Sequence, residues 1–206
     1  MKDHRKSKLY QQVEQFVVDS FGTKHPSILH LRGTADWVLE LKADAGEALL
    51  IAAVSHDIER AGKENPIPPS SASHFNFSDE SFIGPHQKKG SEIIGEFLRN
   101  TGAEQQIIQK VQSLVLRHEV GGDDDQNLLK DADSLSFLEN NIDHFLTSKI
   151  MKVGIESVKK KFDWMYQRIT SPRARRMAEP FYLQAMSKVD RKVEKKSPGF
   201  INKPGG

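Results

Sequence analysis

Histidine and carboxylate are the side chains with the most chemical promise in this chain of 206 residues, which carries 8 His, 28 Asp and Glu, and no cysteine. Without thiols there is no thiolate zinc cluster, iron–sulfur site, redox pair or cysteine nucleophile. Any metal must be held by neutral imidazole, supplemented by carboxylate for borderline and hard divalent ions. Six such groups fall on apolar stretches. His56-Asp57 closes the most apolar segment, and His118 continues the stripe of Ile107, Val111 and Val115. His86 lies one turn before Gly90 on the face of Ile93, Ile94 and Phe97, Asp133 sits among Leu128, Leu129, Leu135 and Phe137, and His30 opens a helical pattern. Burying a polar group without a partner costs several kcal/mol, and one shared cation would satisfy them together. A divalent ion held this way lowers the pKa of its water from about 15.7 toward about 7 and neutralises a phosphoryl oxygen.

The elements that must position these groups read as helices nearly everywhere. Val13, Phe16, Val17 and Phe21 make a first amphipathic face, and Gly22 to Pro26 break it. Leu29, Ala35, Val38, Leu39 and Leu41 carry a second helix ending near Asp44 and Gly46. Glu47 to Arg60 is apolar all round until Ser55, the pattern of a helix at the centre of a fold. Residues 62–78, with Pro66, Pro68, Pro69 and a serine-rich run, predict a surface loop or lid pinned by Phe75, Phe77 and Phe82. Helical faces resume from His86 to Thr101, from Ile107 to His118 and from Leu128 to Leu138. Two longer, more charged helices cover about 149–169 and 173–194, separated by Thr170-Ser171-Pro172.

No period-2 run and no internal repeat is present, so the sequence predicts an all-α fold. A chain of this length buries roughly two-thirds of its unfolded surface in one domain. Residues 1–26 are read as an N-terminal helix and loop of that domain, 27–140 as its core, 141–194 as C-terminal helices packed on the core, and 195–206 as a disordered tail.

The order His30, His56-Asp57, Asp133 resembles the HD superfamily of metal-dependent phosphohydrolases. His30-Leu-Arg-Gly-Thr-Ala35 is similar to its first-ligand helix and Ala52-Ala-Val-Ser-His-Asp-Ile58 to its signature. Asp131-Ala-Asp133-Ser-Leu135 is similar to its last-ligand segment, with Asp133 favoured over Asp131 as ligand. His86-Gln-Lys-Lys-Gly-Ser91 and Arg117-His118-Glu119 resemble the extra histidines of subfamilies that hold two metals. The resemblance covers roughly residues 27–140 and implies a single compact HD-type helical bundle with extra C-terminal helices. It implies one or two divalent ions of Mn, Mg, Fe, Co, Ni or Zn. His30, His56, Asp57 and Asp133 would hold the first. His86 and His118 would take a second with Asp57 bridging, or bind the substrate phosphate.

One departure is local. Many relatives read His-Asp-Ile-Gly-Lys, whereas this chain reads His56-Asp57-Ile58-Glu59-Arg60. Arg60 keeps a positive charge with a fork able to hold a phosphate oxygen. Glu59 or Glu119 could relay protons beside Asp57. Arg60, Lys88 and Arg117 are the nearest cations for a phosphate, with Arg168 and Arg176 as weaker candidates.

The expected activity is therefore phosphoester hydrolysis by metal-activated water on a small phosphorylated molecule, a nucleotide being the first expectation on family analogy. The same six-ligand pattern occurs in di-iron HD-type oxygenases, and a non-catalytic nucleotide-binding sensor would also retain it. Taken singly, a histidine is more often structural, and His4, His25, His74 and His144 are read so, His25 being a minor rival to His30. Asp131 reads as a helix-start or supporting residue. Lys159-Lys160-Lys161 and Arg173, Arg175 and Arg176 read as solvated helix faces. Asp123-Asp124-Asp125 lacks calcium-loop spacing and reads as helix-capping acids. The longest apolar run, Ala48 to Val54, is far short of the ~18 residues of a membrane span, and the charged start leads into no apolar signal core. The expectation is a cytoplasmic protein. A net charge of +2 and a pI near 8.7 argue against a dedicated nucleic-acid binder and leave homo-oligomers open.

Overall fold

Pro26 at the first turn, preceded by a side chain that accepts the Ser27 N–H, starts one helix, and an Asp123–Gln126 capping box starts another. These two helices hold the fold's central crossing. A computed structural model describes residues 4–61 and 80–196, with side chains at 4–61 and 83–193. The predicted loop 62–78, with His74, Phe75 and Phe77, the side chain of Phe82, and the tail beyond Lys196 lie outside the described residues. A 3-10 turn at His4–Lys6 leads to α1 (Lys8–Phe21), α2 (Pro26–Leu41), α3 (Glu47–Ser55) and a 3-10 turn at Ile58–Arg60. Then come α4 (Glu80–Asn100), α5 (Gln105–Arg117), α6 (Asp124–Asn140), α7 (Ile142–His144), a π turn at Phe145–Lys149, α8 (Ile150–Val153), α9 (Ile155–Gln167) and α10 (Pro172–Lys196). No strand occurs among the described residues, and the fold is all-α. Nor is any described helix long and apolar enough to cross a membrane.

The helix expected over about 149–169 is interrupted. Gly154 adopts φ 84°, a backbone conformation that costs glycine nothing and most residues about 1 kcal/mol or more. The chain therefore turns there, and α8 and α9 run separately. The final helix reaches Lys196, two residues into the stretch read as tail.

α3 is buried on all sides, with Leu50, Ile51, Ala52 and Ala53 fully enclosed and α1, α2, α5 and α6 around it. Each large aliphatic side chain so buried contributes about 1.5–3 kcal/mol. One apolar core is built from α1 to α5 and the first half of α6. A second runs from Leu135 through α7–α10. Thus α6 belongs to both, and its polar positions lie where the cores meet. Two glycines set how closely the helices approach. A Cβ on Gly33 would stand 2.7 Å from Ser136 Oγ on α6, and one on Gly90 would stand 3.3 Å from the His56 carbonyl and 3.4 Å from Val115.

Candidate metal centre

Four histidines meet at this junction, each brought by a different element. His30 lies in the second turn of α2, His56 follows α3, His86 is on α4 and His118 follows α5. Their rings form a chain of edge and tilted contacts, His30 to His56 at 5.3 Å, His56 to His118 at 5.0 Å and His118 to His86 at 5.3 Å between centroids. In every ring Nδ1 faces a fixed acceptor. His56 Nδ1 lies 2.9 Å from the Ala53 carbonyl and His118 Nδ1 2.7 Å from the Val115 carbonyl. His86 Nδ1 lies 3.0 Å from Glu59 Oε2. His30 Nδ1 lies 3.2 Å from Ser136 Oγ, whose own proton goes to the His30 carbonyl at 2.6 Å. None of these acceptors has a proton to give, so in the neutral ring Nδ1 carries the hydrogen and the lone pair is on Nε2. Among the described residues, the Nε2 atoms of His56, His86 and His118 are buried without a hydrogen-bond partner. Such a tautomer lock, with the other nitrogen turned inward, is how proteins hold metal-ligating imidazoles.

The carboxylates fall among these nitrogens. His30, His56 and Asp133 offer ligand atoms within 4.8 Å of one another, as do His56, Asp57 and His118, and His86, His118 and Glu119. The three groups share His56 and His118, so they form one continuous centre with Asp57 in the middle. Asp133 Oδ1 lies 3.2 Å from His30 Nε2 and 3.5 Å from His56 Nε2. Asp57 Oδ1 lies 3.0 Å from His86 Nε2 and 3.8 Å from His118 Nε2. The donor set of imidazole nitrogens and carboxylate oxygens suits borderline to hard divalent ions. The electrostatics agree. Burial opposes charge on His56, but Asp133, with Asp57 beside it, lifts its pKa to about 9. His118, where burial dominates, falls to about 4. Burial works against ionised Asp57 too, and is overcome chiefly by Arg60 and His86, which hold it well below the usual carboxylate range.

The C-terminal helices supply a cation to the centre. Arg168, at the end of α9, grips Asp133 with one arm and Glu119 with the other, and its Nε donates to Ser134 Oγ at 2.8 Å. It lies 4.5 Å over the Trp164 ring. Against the opposing cost of burial, it keeps both Asp133 and Glu119 strongly ionised. That makes Glu119 a poor proton donor, better suited to binding a cation than to relaying protons. Glu59 accepts from His86 Nδ1 and so orients that ring. Arg60 donates from Nε to Asp57 at 3.0 Å.

Lys161 does not lie on a solvated face. Its ammonium sits 4.2 Å over Trp164, and burial with nearby Arg168 and Arg60 lowers its pKa to about 8 against the pull of Glu119. Lys88, Arg117 and Arg176 are exposed, and Arg117 donates to the Gly121 carbonyl at 2.9 Å. Asp131 accepts the N–H groups of Thr170 and Ser171 at 2.8 and 2.7 Å, fixing the start of α10. His25 caps α2. Of the residues now at the centre, Ser136 and Lys161 escaped the sequence reading. A serine or a lysine on a mixed helix face carries no signal of its own.

The helical arrangement is shared with the crystal structure of a predicted HD superfamily hydrolase from an uncultured Thermotogales bacterium. The two superpose with a TM-score of 0.53 at 18% sequence identity, over 90% of this chain and 91% of that one. At that identity the likeness establishes the fold. The model of a family described as a domain of unknown function, DUF4202, matches residues 15–189, and the chain belongs to that family. A search of curated proteins finds no match.

Proposed function

We propose that this protein is a metal-dependent phosphohydrolase of the HD type, acting on a small phosphorylated molecule. The observation that carries the proposal is the convergence of four tautomer-locked histidines on Asp57, Asp133 and Glu119, with three Nε2 atoms buried without a hydrogen bond. His30, His56 and Asp133 would hold one divalent ion, and His86, His118 and Glu119 a second, with Asp57 between them. Bound there, the metal supplies a water of lowered pKa and a positive charge for a phosphoryl oxygen. The chain's own residues prepare the rest. Ser136, Ala53, Val115 and Glu59 fix the imidazole orientations. Arg168 holds Asp133 and Glu119 in place, and Arg60 orients Asp57 while presenting a guanidinium at the cavity beside it.

Elemental analysis of purified protein, followed by a phosphoester panel with each divalent metal, tests this. A stoichiometric divalent metal and turnover of at least one phosphoester are expected, both lost in Asp57→Ala. Full metal and activity in that variant would sink the assignment. One observation favours a second reading: His30, His56, Asp57, His86, His118 and Asp133 all meet in one centre, the complete ligand order of di-iron HD-type oxygenases. Two irons per chain with turnover that stops under strict anaerobiosis would decide for it.

A further inference from the structure

The helix that brings His86 to the centre carries, one residue on, a glutamine that is only 2% exposed. We infer that Gln87 is a positioning residue for the centre: its side-chain carbonyl takes the Glu119 N–H and so leaves the Val115 carbonyl to lock the His118 ring. That the lock serves a metal ion rests on the reading above.

An accounting of donors and acceptors at the end of α5 carries the inference. A carbonyl oxygen offers two lone pairs. That of Val115 receives the His118 N–H at 3.5 Å and His118 Nδ1 at 2.7 Å, so both are engaged. In a continuing α-helix the Glu119 N–H would claim the same oxygen, four residues back. Glu119 is buried, and a buried N–H with no acceptor costs about 1–3 kcal/mol. It finds its acceptor in Gln87 Oε1 at 3.1 Å. Because the donor is a backbone N–H, the atom that meets it is the amide oxygen and not the nitrogen, which fixes the glutamine's orientation. One side chain thus acts on two candidate ligands. It holds the main chain of Glu119 directly, and it holds His118 through the carbonyl it leaves to that ring.

The two helices do not depend on Gln87 for their packing. One turn along α4, Ser91 Oγ donates to the Gln112 carbonyl at 3.0 Å, and Gln112 Nε2 donates to the Ser91 carbonyl at 3.1 Å. Ile94 and Leu98 of α4 and Val111 and Leu114 of α5 share one apolar core. His56 supplies an internal comparison. It too follows a helix and turns Nδ1 onto the carbonyl three residues earlier, that of Ala53 at 2.9 Å. The two acceptors lie on different helices, so a change at Gln87 should reach His118 alone.

Gln87→Met keeps the side-chain length and removes the acceptor, whereas Gln87→Glu keeps the acceptor. In metal-free protein near neutral pH, nitrogen–proton correlation spectra of labelled histidine report which ring nitrogen holds the proton. Wild type should show the His118 proton on Nδ1 and a Glu119 amide protected from exchange. In Gln87→Met the Glu119 N–H falls back on the Val115 carbonyl, and the His118 proton should move to Nε2 while the His56 Nδ1 proton stays. Gln87→Glu should restore the wild-type pattern. Affinity for the ion at His86, His118 and Glu119, read by competition against a chelator, should fall about 10- to 100-fold in Gln87→Met and recover in Gln87→Glu. The ion at His30, His56 and Asp133 should be retained in both. A His118 proton that stays on Nδ1 in Gln87→Met overturns the assignment, as does equal loss at His56 or a Gln87→Glu protein that resembles Gln87→Met. Should neither variant fold, the wild type still decides: a His118 proton on Nε2 or a freely exchanging Glu119 amide overturns it, and the opposite pair upholds it. A proton that moves with metal affinity unchanged leaves the role of Gln87 standing and refutes His118 as a ligand.

Discussion

At the proposed centre, a proton on His56 and a divalent ion would compete for the same Nε2 lone pair. With a native pKa of about 9 against an ordinary 6.5, that proton stabilises the metal-free fold fully below pH 6.5, and the contribution is lost as pH rises through about 9. His118 runs the other way. Its native value of about 4 means that its contribution is complete above pH 6.5 and is lost as pH falls through about 4. In chelator, the melting midpoint should therefore decline toward both ends of that interval. Metal affinity should rise about tenfold per pH unit from 6.5 toward 9, because binding releases the His56 proton. Competition against a fluorescent chelator at several pH values reads this directly, and a flat profile would exclude His56 as a ligand. Ser136 gives a second handle. Ser136→Ala removes the acceptor at 3.2 Å from His30 Nδ1, and metal affinity should fall about 10- to 100-fold.

Helices enter the chemistry by how closely they approach and by what they carry across. Gly90 lets α4 meet the His56 carbonyl, so Gly90→Ala must push α4 outward by a few tenths of an ångström. The expected cost is about 1–3 kcal/mol, and the His86 side of the centre should lose its ion first, seen as reduced metal stoichiometry. Arg168→Ala removes the guanidinium that Asp133 and Glu119 share and leaves the two buried carboxylates under-compensated. About 3–5 kcal/mol of stability should be lost in chelator, with part of it restored by added divalent metal in a denaturant titration.

These two helix positions also mark how far the sequence could be read. His118 and Asp133 were visible because a polar group interrupts an apolar stripe, and α3 because it is apolar on every face. Arg168 and Lys161 lie on a helix whose charges look solvated, and periodicity cannot tell a cation paired in the interior from one in water.

At the scale of the whole chain, the centre fastens two cores together. His30, His56, His86 and His118 belong to the side built on α3, while Arg168 reaches in from α9 and α6 is common to both. An ion bound only by the native state adds about 2.7 kcal/mol at a hundredfold excess over its Kd. For a chain of this size that is roughly 5–11 °C in Tm, measurable by scanning calorimetry with and without chelator. On chelation, amide exchange should quicken in α9 and the start of α10 before it does in α3, since α9 depends on the centre for its grip. The same arrangement gives the protein a reporter of its own. Of two tryptophans in the chain, Trp164 lies against Lys161 and Arg168, and indole emission responds to the field of neighbouring charges. Metal titration should shift the intrinsic fluorescence in Trp37→Phe and leave it unchanged in Trp164→Phe, so that occupancy of the centre can be followed by light with no label attached.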